Sequence, residues 1–274
     1  MELDLRQIVE LDLVKSGDDK SMLWRGPAVL GGDGVAFGGA MAAQALIVAQ
    51  TLEPERVPES IHTHFLSSVR PSESIDHEME VLRSGRAFTV ARVESRQAAR
   101  HCVSSTITLH KPESSPEHQL PMVPLGQPET YPHSSFIPPG TAPSVRRCFE
   151  IREVHSDNGS GQAGHPKQAY WLRYKGNLGD RQALHNAALV WFSDLSMPWT
   201  TDLAYDESDG VRVGASLDHT VWFHRPLRAD RWLYFTQESL VYAGARAATR
   251  GVFYTEDGTL VASAAQETLL RRIV

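Results

Sequence analysis

Four histidines fall in two short alternating runs, His62 and His64 in Ile61–Leu66 (IHTHFL), His219 and His224 in Ser216–His224 (SLDHTVWFH). Imidazoles can serve as bases or as metal ligands. A zinc site needs three or four converging donors, and no third donor stands at useful spacing, so no metal is expected and these histidines read as strand residues. Cys102 and Cys148 are the two cysteines; Cys102 lies in a strand and Cys148 just after the Pro/Ser-rich stretch, and both fit packing roles. No Gly-x-Ser-x-Gly elbow occurs, which leaves no serine nucleophile of that type. The run Gly32–Gly38 (GDGVAFG) resembles a dinucleotide loop, but its spacing is off by one and no apolar strand precedes it. Its glycines are better explained as a turn that lets a helix start close to a sheet. Two polar groups are harder to explain away. Asp194 follows the apolar run Leu189–Phe192 (LVWF) and precedes Leu195, and a carboxylate drawn into apolar surroundings needs a partner or a task. Gln266 shares a strand face with Leu260, Ala262 and Ala264, where an amide must find partners. By residue type alone Ser216 is a turn or edge residue at the start of its strand.

The elements that must carry these groups come in two similar sets. Phe37–Leu52 is a continuous run of good helix formers with two glycines at its start, and strand-like runs follow at Ile61–Leu66, Ile75–Leu82, Ala87–Gln97 and Cys102–His110. In the second set Ala183–Met197 is the helix, and Ser216–His224, Trp232–Leu240, Ala247–Thr255 and Thr259–Leu270 are the strands, alternating and rich in Val, Thr, Tyr, Phe and Trp. Glu256-Asp257-Gly258 predicts a hairpin turn before the last strand. Between the sets, residues 111–145 are dense in Pro and Ser and show no periodicity, the signature of a linker. The predicted organisation is therefore an N-terminal unit, residues 1–110, a linker, residues 111–145, and a C-terminal unit, residues 146–274. A helix followed by an antiparallel meander is an α+β layer. Ala42, Ala43, Ala45 and Ala49 in the first helix, with Ala262 and Ala264 in the last strand, supply the small side chains that a close helix-to-sheet approach requires.

Composition narrows the classes of function. The chain has 274 residues, 41% hydrophobic and 22% charged, with a formal net charge of −6. That length supports one large or two ordinary domains with a full core. A mildly acidic chain without Lys/Arg clusters is a poor nucleic-acid binder, and no apolar stretch approaches the ~20 residues that span a bilayer. The acidic, amphipathic start has no basic region followed by an apolar run, so a cytoplasmic protein is expected.

The residues Ser216–Pro226 (SLDHTVWFHRP) followed by Val261–Glu267 (VASAAQE), together with Phe37-Gly38-Gly39, Ile61–Leu66 and Ser84–Phe88 (SGRAF) in the first half, resemble the type II acyl-CoA thioesterase family over about residues 25–271. The resemblance implies a double hotdog: two helix-plus-antiparallel-sheet units sharing one continuous sheet around two central helices. It implies hydrolysis of fatty acyl-CoA, with no cofactor, by a water held between an Asp, a Ser or Thr and a Gln. These fall on Asp194, Ser216 and Gln266, all in the second half. The first half has Thr106 in the place of Gln266 and no matching Asp, so one catalytic centre per chain is expected. Gly38, Gly39, His62 and Arg86 are the expected substrate-binding residues, and backbone N–H groups near Gly38 and Gly39 or at the start of the second helix are the expected oxyanion donors. A homodimer or larger even assembly is also implied. Two departures, Ala40 where the family commonly has Gln and the extra residues 67–69, bear on acyl-chain preference. The same fold also carries hydratases and dehydratases acting on acyl thioesters, and a non-catalytic acyl-CoA binder is the third reading.

Overall fold

The computed structural model describes residues 5–16, 21–31, 34–71, 73–134, 147–157, 166–205 and 211–273. Among them are three α-helices, α1 (Leu5–Ile8), α2 (Gly38–Gln50) and α3 (Gln182–Thr200). The two long ones fall where the Ala-rich and Leu/Val-rich runs predict them. The thirteen strands are β1 (Asp12–Ser16), β2 (Ser21–Pro27), β3 (Val57–Phe65), β4 (Ser74–Ser84), β5 (Phe88–Gln97), β6 (Arg100–His110), β7 (Phe149–Asp157), β8 (Lys167–Tyr174), β9 (Val211–Ser216), β10 (Asp218–Phe223), β11 (Leu233–Ala243), β12 (Arg246–Thr255) and β13 (Leu260–Ile273). They form one sheet, every pairing antiparallel, in the order β1-β2-β4-β5-β6-β3-β10-β13-β12-β11-β8-β7, with β9 also on β13.

The two halves fuse at β3 and β10, where Ile61 lies opposite Val221 and Thr63 opposite His219. Both long helices pack on one face of this sheet. They run antiparallel to each other: Gln50 at the end of α2 accepts a hydrogen bond from Asn186 near the start of α3, while Gly38 and Gly39 at the start of α2 lie against Trp191 and Asp194. Glycine is needed at that crossing. A Cβ on Gly39 would stand 2.8 Å from the Trp191 carbonyl oxygen, and one on Gly38 would stand 2.8 Å from the Phe65 ring. Ala42, Ala43, Ala45, Ala49, Ala262 and Ala264 are all buried in the shared core with Leu46, Trp191, Phe192 and Phe235, as expected of small residues between close layers.

Several elements depart from the sequence-based expectation. Strands β1, β2, β7, β8 and, apart from its last residue Ser216, β9 were not foreseen. The burial of β8 is nearly continuous, from Gln168 to Leu172, so the period-2 signal is missing. The predicted strand Ser216–His224 is two strands with Leu217 between them. Residues 211–216 pair with β13 in one register, Ser216 opposite Thr268, and Thr220 pairs with Ala265 in another. The offset is one residue, a β-bulge at Leu217. The described part of the Pro/Ser-rich segment holds a 3-10 turn, Pro128–Thr130, and a single bridge from His133 to Arg152 of β7, and it does not hang free. Gln119 bonds the backbone of Gly258 and Leu260, Glu129 accepts from the Trp232 indole, and Met122, Leu125 and Tyr131 pack on a cluster of Trp171, Trp232, Tyr234 and Tyr254. It is a strap over the outer face of the second half.

Candidate active site

Inside the sheet, beneath the helices, the registers align one polar residue per strand. Ser105 on β6 lies opposite Thr63 on β3, Thr63 opposite His219 on β10, Gln266 on β13 opposite Thr249 on β12, and Thr249 opposite Ser239 on β11. One step on from the Thr220–Ala265 pair, the β10–β13 register sets His219 opposite Gln266. All six are buried. Antiparallel partners share a face, so Thr106, which pairs with His62 in a row with Thr220 and Ala265, faces the other way. The first-half residue in the row of Gln266 is Ser105, not Thr106.

Above this row α3 brings down Asp194, 5% exposed. The Gln266 amide nitrogen donates to Asp194 Oδ1 and to Ser216 Oγ, both at 2.7 Å. Ser216 Oγ stands 3.5 Å from the same carboxylate oxygen, a distance at which the hydroxyl is only loosely engaged. The three expected catalytic residues are thus in mutual contact, drawn from one helix and two strands. Asp194 Oδ2 faces the start of α2, where a Cβ on Gly38 would lie 3.0 Å away. The first turn of α2 has no side-chain cap, and the leading N–H groups of a helix have no partners within it. Pro198 sits inside α3; it lacks the N–H that would bond the Asp194 carbonyl four residues earlier. The turns beyond are held from the sheet instead, by Gln168 on the Ser196 carbonyl and Thr200, and by Gln237 on the Ser196 hydroxyl.

The bulge at Leu217 makes this site possible. In an uninterrupted strand residues three apart point to opposite faces. With one residue taken out of register, Ser216 and His219 face the same inner side. His219 was not foreseen as a site residue. It is 1% exposed, and its Nε2 lies 2.7 Å from the hydroxyl of Ser193 on α3. Burial lowers its pKa below the usual histidine range, opposed by Asp194, Gln266 and Asp218. Of the expected substrate-binding residues, Gly38 lies against Asp194 of the trio, and Gly39 next to it lies against the Trp191 carbonyl. His62 does not: it is on the outer face, 3.3 Å from Thr220 Oγ1 and edge-on to Trp222. Arg86 is exposed in the hairpin between β4 and β5, in the other half of the sheet. In the extra residues 67–69, the Ser67 N–H donates to the Cys102 carbonyl and the Val69 carbonyl accepts from Ala36, two residues before α2. Among the described residues no group of three or more His, Cys, Asp or Glu is placed to hold a metal ion, and no helix is long and apolar enough to cross a membrane.

Two helix-on-sheet units fused through their edge strands, with a buried carboxylate where the helices cross, define a double hotdog of the thioesterase kind. Residues 27–110 match the acyl-CoA thioesterase N-terminal domain and residues 125–270 the acyl-CoA thioesterase C-terminal domain, and the chain belongs to the type II acyl-CoA thioesterase family. It is 28% identical to acyl-CoA thioesterase 2 of Haemophilus influenzae, covering 97% of this chain and 98% of that one. It is 29% identical to mouse acyl-coenzyme A thioesterase 8, covering 86% and 80%. Among solved structures, the acyl-CoA thioesterase II TesB2 of Mycobacterium marinum superposes with a TM-score of 0.82 at 28% identity, covering 98% of this chain and 97% of that one.

Proposed function

We propose that this chain is an acyl-CoA thioesterase in which Asp194, Ser216 and Gln266 place and activate the hydrolytic water. The observation that carries the proposal is the Gln266 amide, whose two N–H bonds are spent on Asp194 and Ser216 at 2.7 Å each. That leaves Asp194 Oδ2, which accepts no hydrogen bond from the described residues, to take a proton from water. The Ser216 hydroxyl hydrogen, held only loosely toward Asp194 Oδ1 at 3.5 Å, can turn to orient the water or the thioester oxygen. Water attacks the thioester carbonyl carbon and its proton passes to Asp194. The C–S bond breaks, and the proton moves on to the departing thiolate, giving the free acid and the CoA thiol. The charge that develops on the carbonyl oxygen falls within reach of the uncapped first turn of α2 at Gly38 and Gly39. No covalent intermediate is needed. The hydratase alternative requires an accessible histidine beside the carboxylate; the one nearby, His219, is buried and engaged by Ser193.

The functional division that goes with this reading gives the chemistry to residues 146–274 and a supporting role to residues 1–110. The separate family matches to residues 27–110 and 125–270 support two units, the second match beginning inside the 111–145 segment. We also propose a cytoplasmic enzyme that works as a homodimer or larger even assembly. Cell fractionation tests the first, and a light-scattering mass of one chain would overturn the second. The decisive assay follows thiol release from short-, medium- and long-chain acyl-CoAs. Turnover of at least one of them by wild type, with a loss of roughly 10²-fold or more in both Asp194→Asn and Gln266→Ala, is the expected result. Full activity in Asp194→Asn would place the chemistry elsewhere. A silent wild type that binds acyl-CoA would make the chain a binder.

A further inference from the structure

The trio leaves one of its own atoms unaccounted for. Gln266 Oε1 is buried without a hydrogen-bond partner, and so is His219 Nδ1. These two residues lie opposite each other on β10 and β13 by the register that pairs Thr220 with Ala265. We propose that His219 is a positioning residue of the active site: its Nδ1–H donates to Gln266 Oε1 and fixes the amide with its NH2 group toward Asp194 and Ser216.

Burial keeps the ring neutral at pH 7, so it carries a single N–H. Ser193 Oγ is 2.7 Å from His219 Nε2, and its hydroxyl donates at 2.9 Å to the Val190 carbonyl, an acceptor that the i−4 ladder of α3 supplies from Asp194 as well, so its one hydrogen can turn to Nε2 without stranding that carbonyl. If Ser193 donates to Nε2, the hydrogen of the ring is on Nδ1, facing Gln266. The chain Ser193 to His219 to Gln266 to Asp194 and Ser216 then runs donor to acceptor throughout. In the other tautomer Nε2–H donates to Ser193, and a bare Nδ1 meets a bare carbonyl oxygen, leaving two buried acceptors unsatisfied. Without the imidazole, the Oε1 end of the amide has no partner among the described residues, and only its two N–H bonds to Asp194 and Ser216 oppose rotation by 180°. That rotation would turn Oε1 toward the Asp194 carboxylate and remove both donors from the site. The bulge at Leu217 gains a reason here, since it alone lets Ser216 and His219 flank Gln266 from the same face.

The inference rests on the trio being the hydrolytic site, and its test separates the two. Asparagine places a side-chain N–H near the position of Nδ1, and glutamine near that of Nε2. With acyl-CoA as substrate, His219→Ala and His219→Gln should lose about 10²-fold in kcat, the scale of a catalytic group misplaced by ~1 Å, with KM within about twofold. His219→Asn should recover most of the loss. Equal activity of the Asn and Gln variants, or a loss confined to KM, would overturn the proposal. Independently of turnover and of any variant's folding, nitrogen NMR of 15N-histidine-labelled wild type reads the tautomer. Protonation at Nδ1 of His219 supports the assignment, and protonation at Nε2 overturns it, whatever Asp194→Asn does to activity.

Discussion

Each half of the molecule buries a histidine between its helix and its sheet, and the two are wired differently. In the first half His77 on β4 lies between Ser95, 2.8 Å from Nδ1, and Gln44 of α2, 3.0 Å from Nε2. The Gln44 amide nitrogen donates to the carbonyls of Ile8 and Pro27. Every polar group in that set has a partner, no member carries charge, and the set ties α1 and β2 to the helix. In the second half the corresponding set contains a carboxylate, and Asp194 Oδ2 and the Ser216 hydrogen are left for something outside the protein. A closed buried network holds a fold together; an open one with a charge in it is a site. The comparison supports the expectation of one catalytic centre per chain on structural grounds beyond the missing Asp.

The largest expected effect breaks the open set. Asp194→Asn should reduce kcat by about 10²- to 10⁴-fold, the range for a general acid–base group, while thermal unfolding stays at or above the wild-type temperature, because a buried charge is removed with little change of shape. A variant that loses both activity and Tm would make Asp194 a structural group. In the closed set the signs reverse. Gln44→Ala strands His77 and two backbone carbonyls and should cost about 3 kcal/mol, lowering Tm by roughly 5–10 °C, with kcat within about twofold of wild type once folded. A large loss of kcat at unchanged Tm would show that the first half takes part in the chemistry.

Much of this contrast was legible in the sequence. The two helices, eight of the strands and the three residues Asp194, Ser216 and Gln266 came from period, propensity and motif. The wiring did not. Ser216 and His219 are three apart, and alternation sends them to opposite faces; only the bulge at Leu217 reverses that, and a one-residue register shift leaves no mark on composition. Ser105 was missed for Thr106 by the same parity, since one step along a strand changes the face. Strands β7 and β8 follow a Pro-rich segment and lack clean alternation, and the strap looked like a linker because its contacts are long-range, with Glu129 meeting Trp232 103 residues later. The expected roles of His62 and Arg86 came from motif position alone, and neither residue stands at the trio.

Acid offers a gentler way to sharpen the comparison. Burial lowers the pKa of His77 from 6.5 to about 4, with Asp76 pulling weakly upward. Between those values the unfolded chain binds a proton that the folded one refuses. The contribution of His77 is therefore fully present above pH 6.5 and is lost as pH falls toward 4, by about 3 kcal/mol in all. Urea titrations at pH 7 and pH 4.5 should show wild type losing more stability than His77→Gln across that interval. Parallel losses in the two proteins would mean that the imidazole is not held neutral.

The smallest effect concerns the outer faces. The strap covers the second half with Met122, Leu125 and Tyr131, whereas the first half presents a charged surface, including Arg92 and Glu80 paired at 2.6 Å with side chains 44% and 54% exposed. A pair so open to water should couple by less than about 1 kcal/mol in a double-mutant cycle and should weaken further in high salt. A coupling above about 2 kcal/mol that resists salt would mean that water does not reach this face in solution. Among the described residues nothing lies over the pair at that exposure, so the shielding would have to come from another molecule. The even assembly proposed above would then have a defined contact surface on the first half, placed where the strap lies on the second.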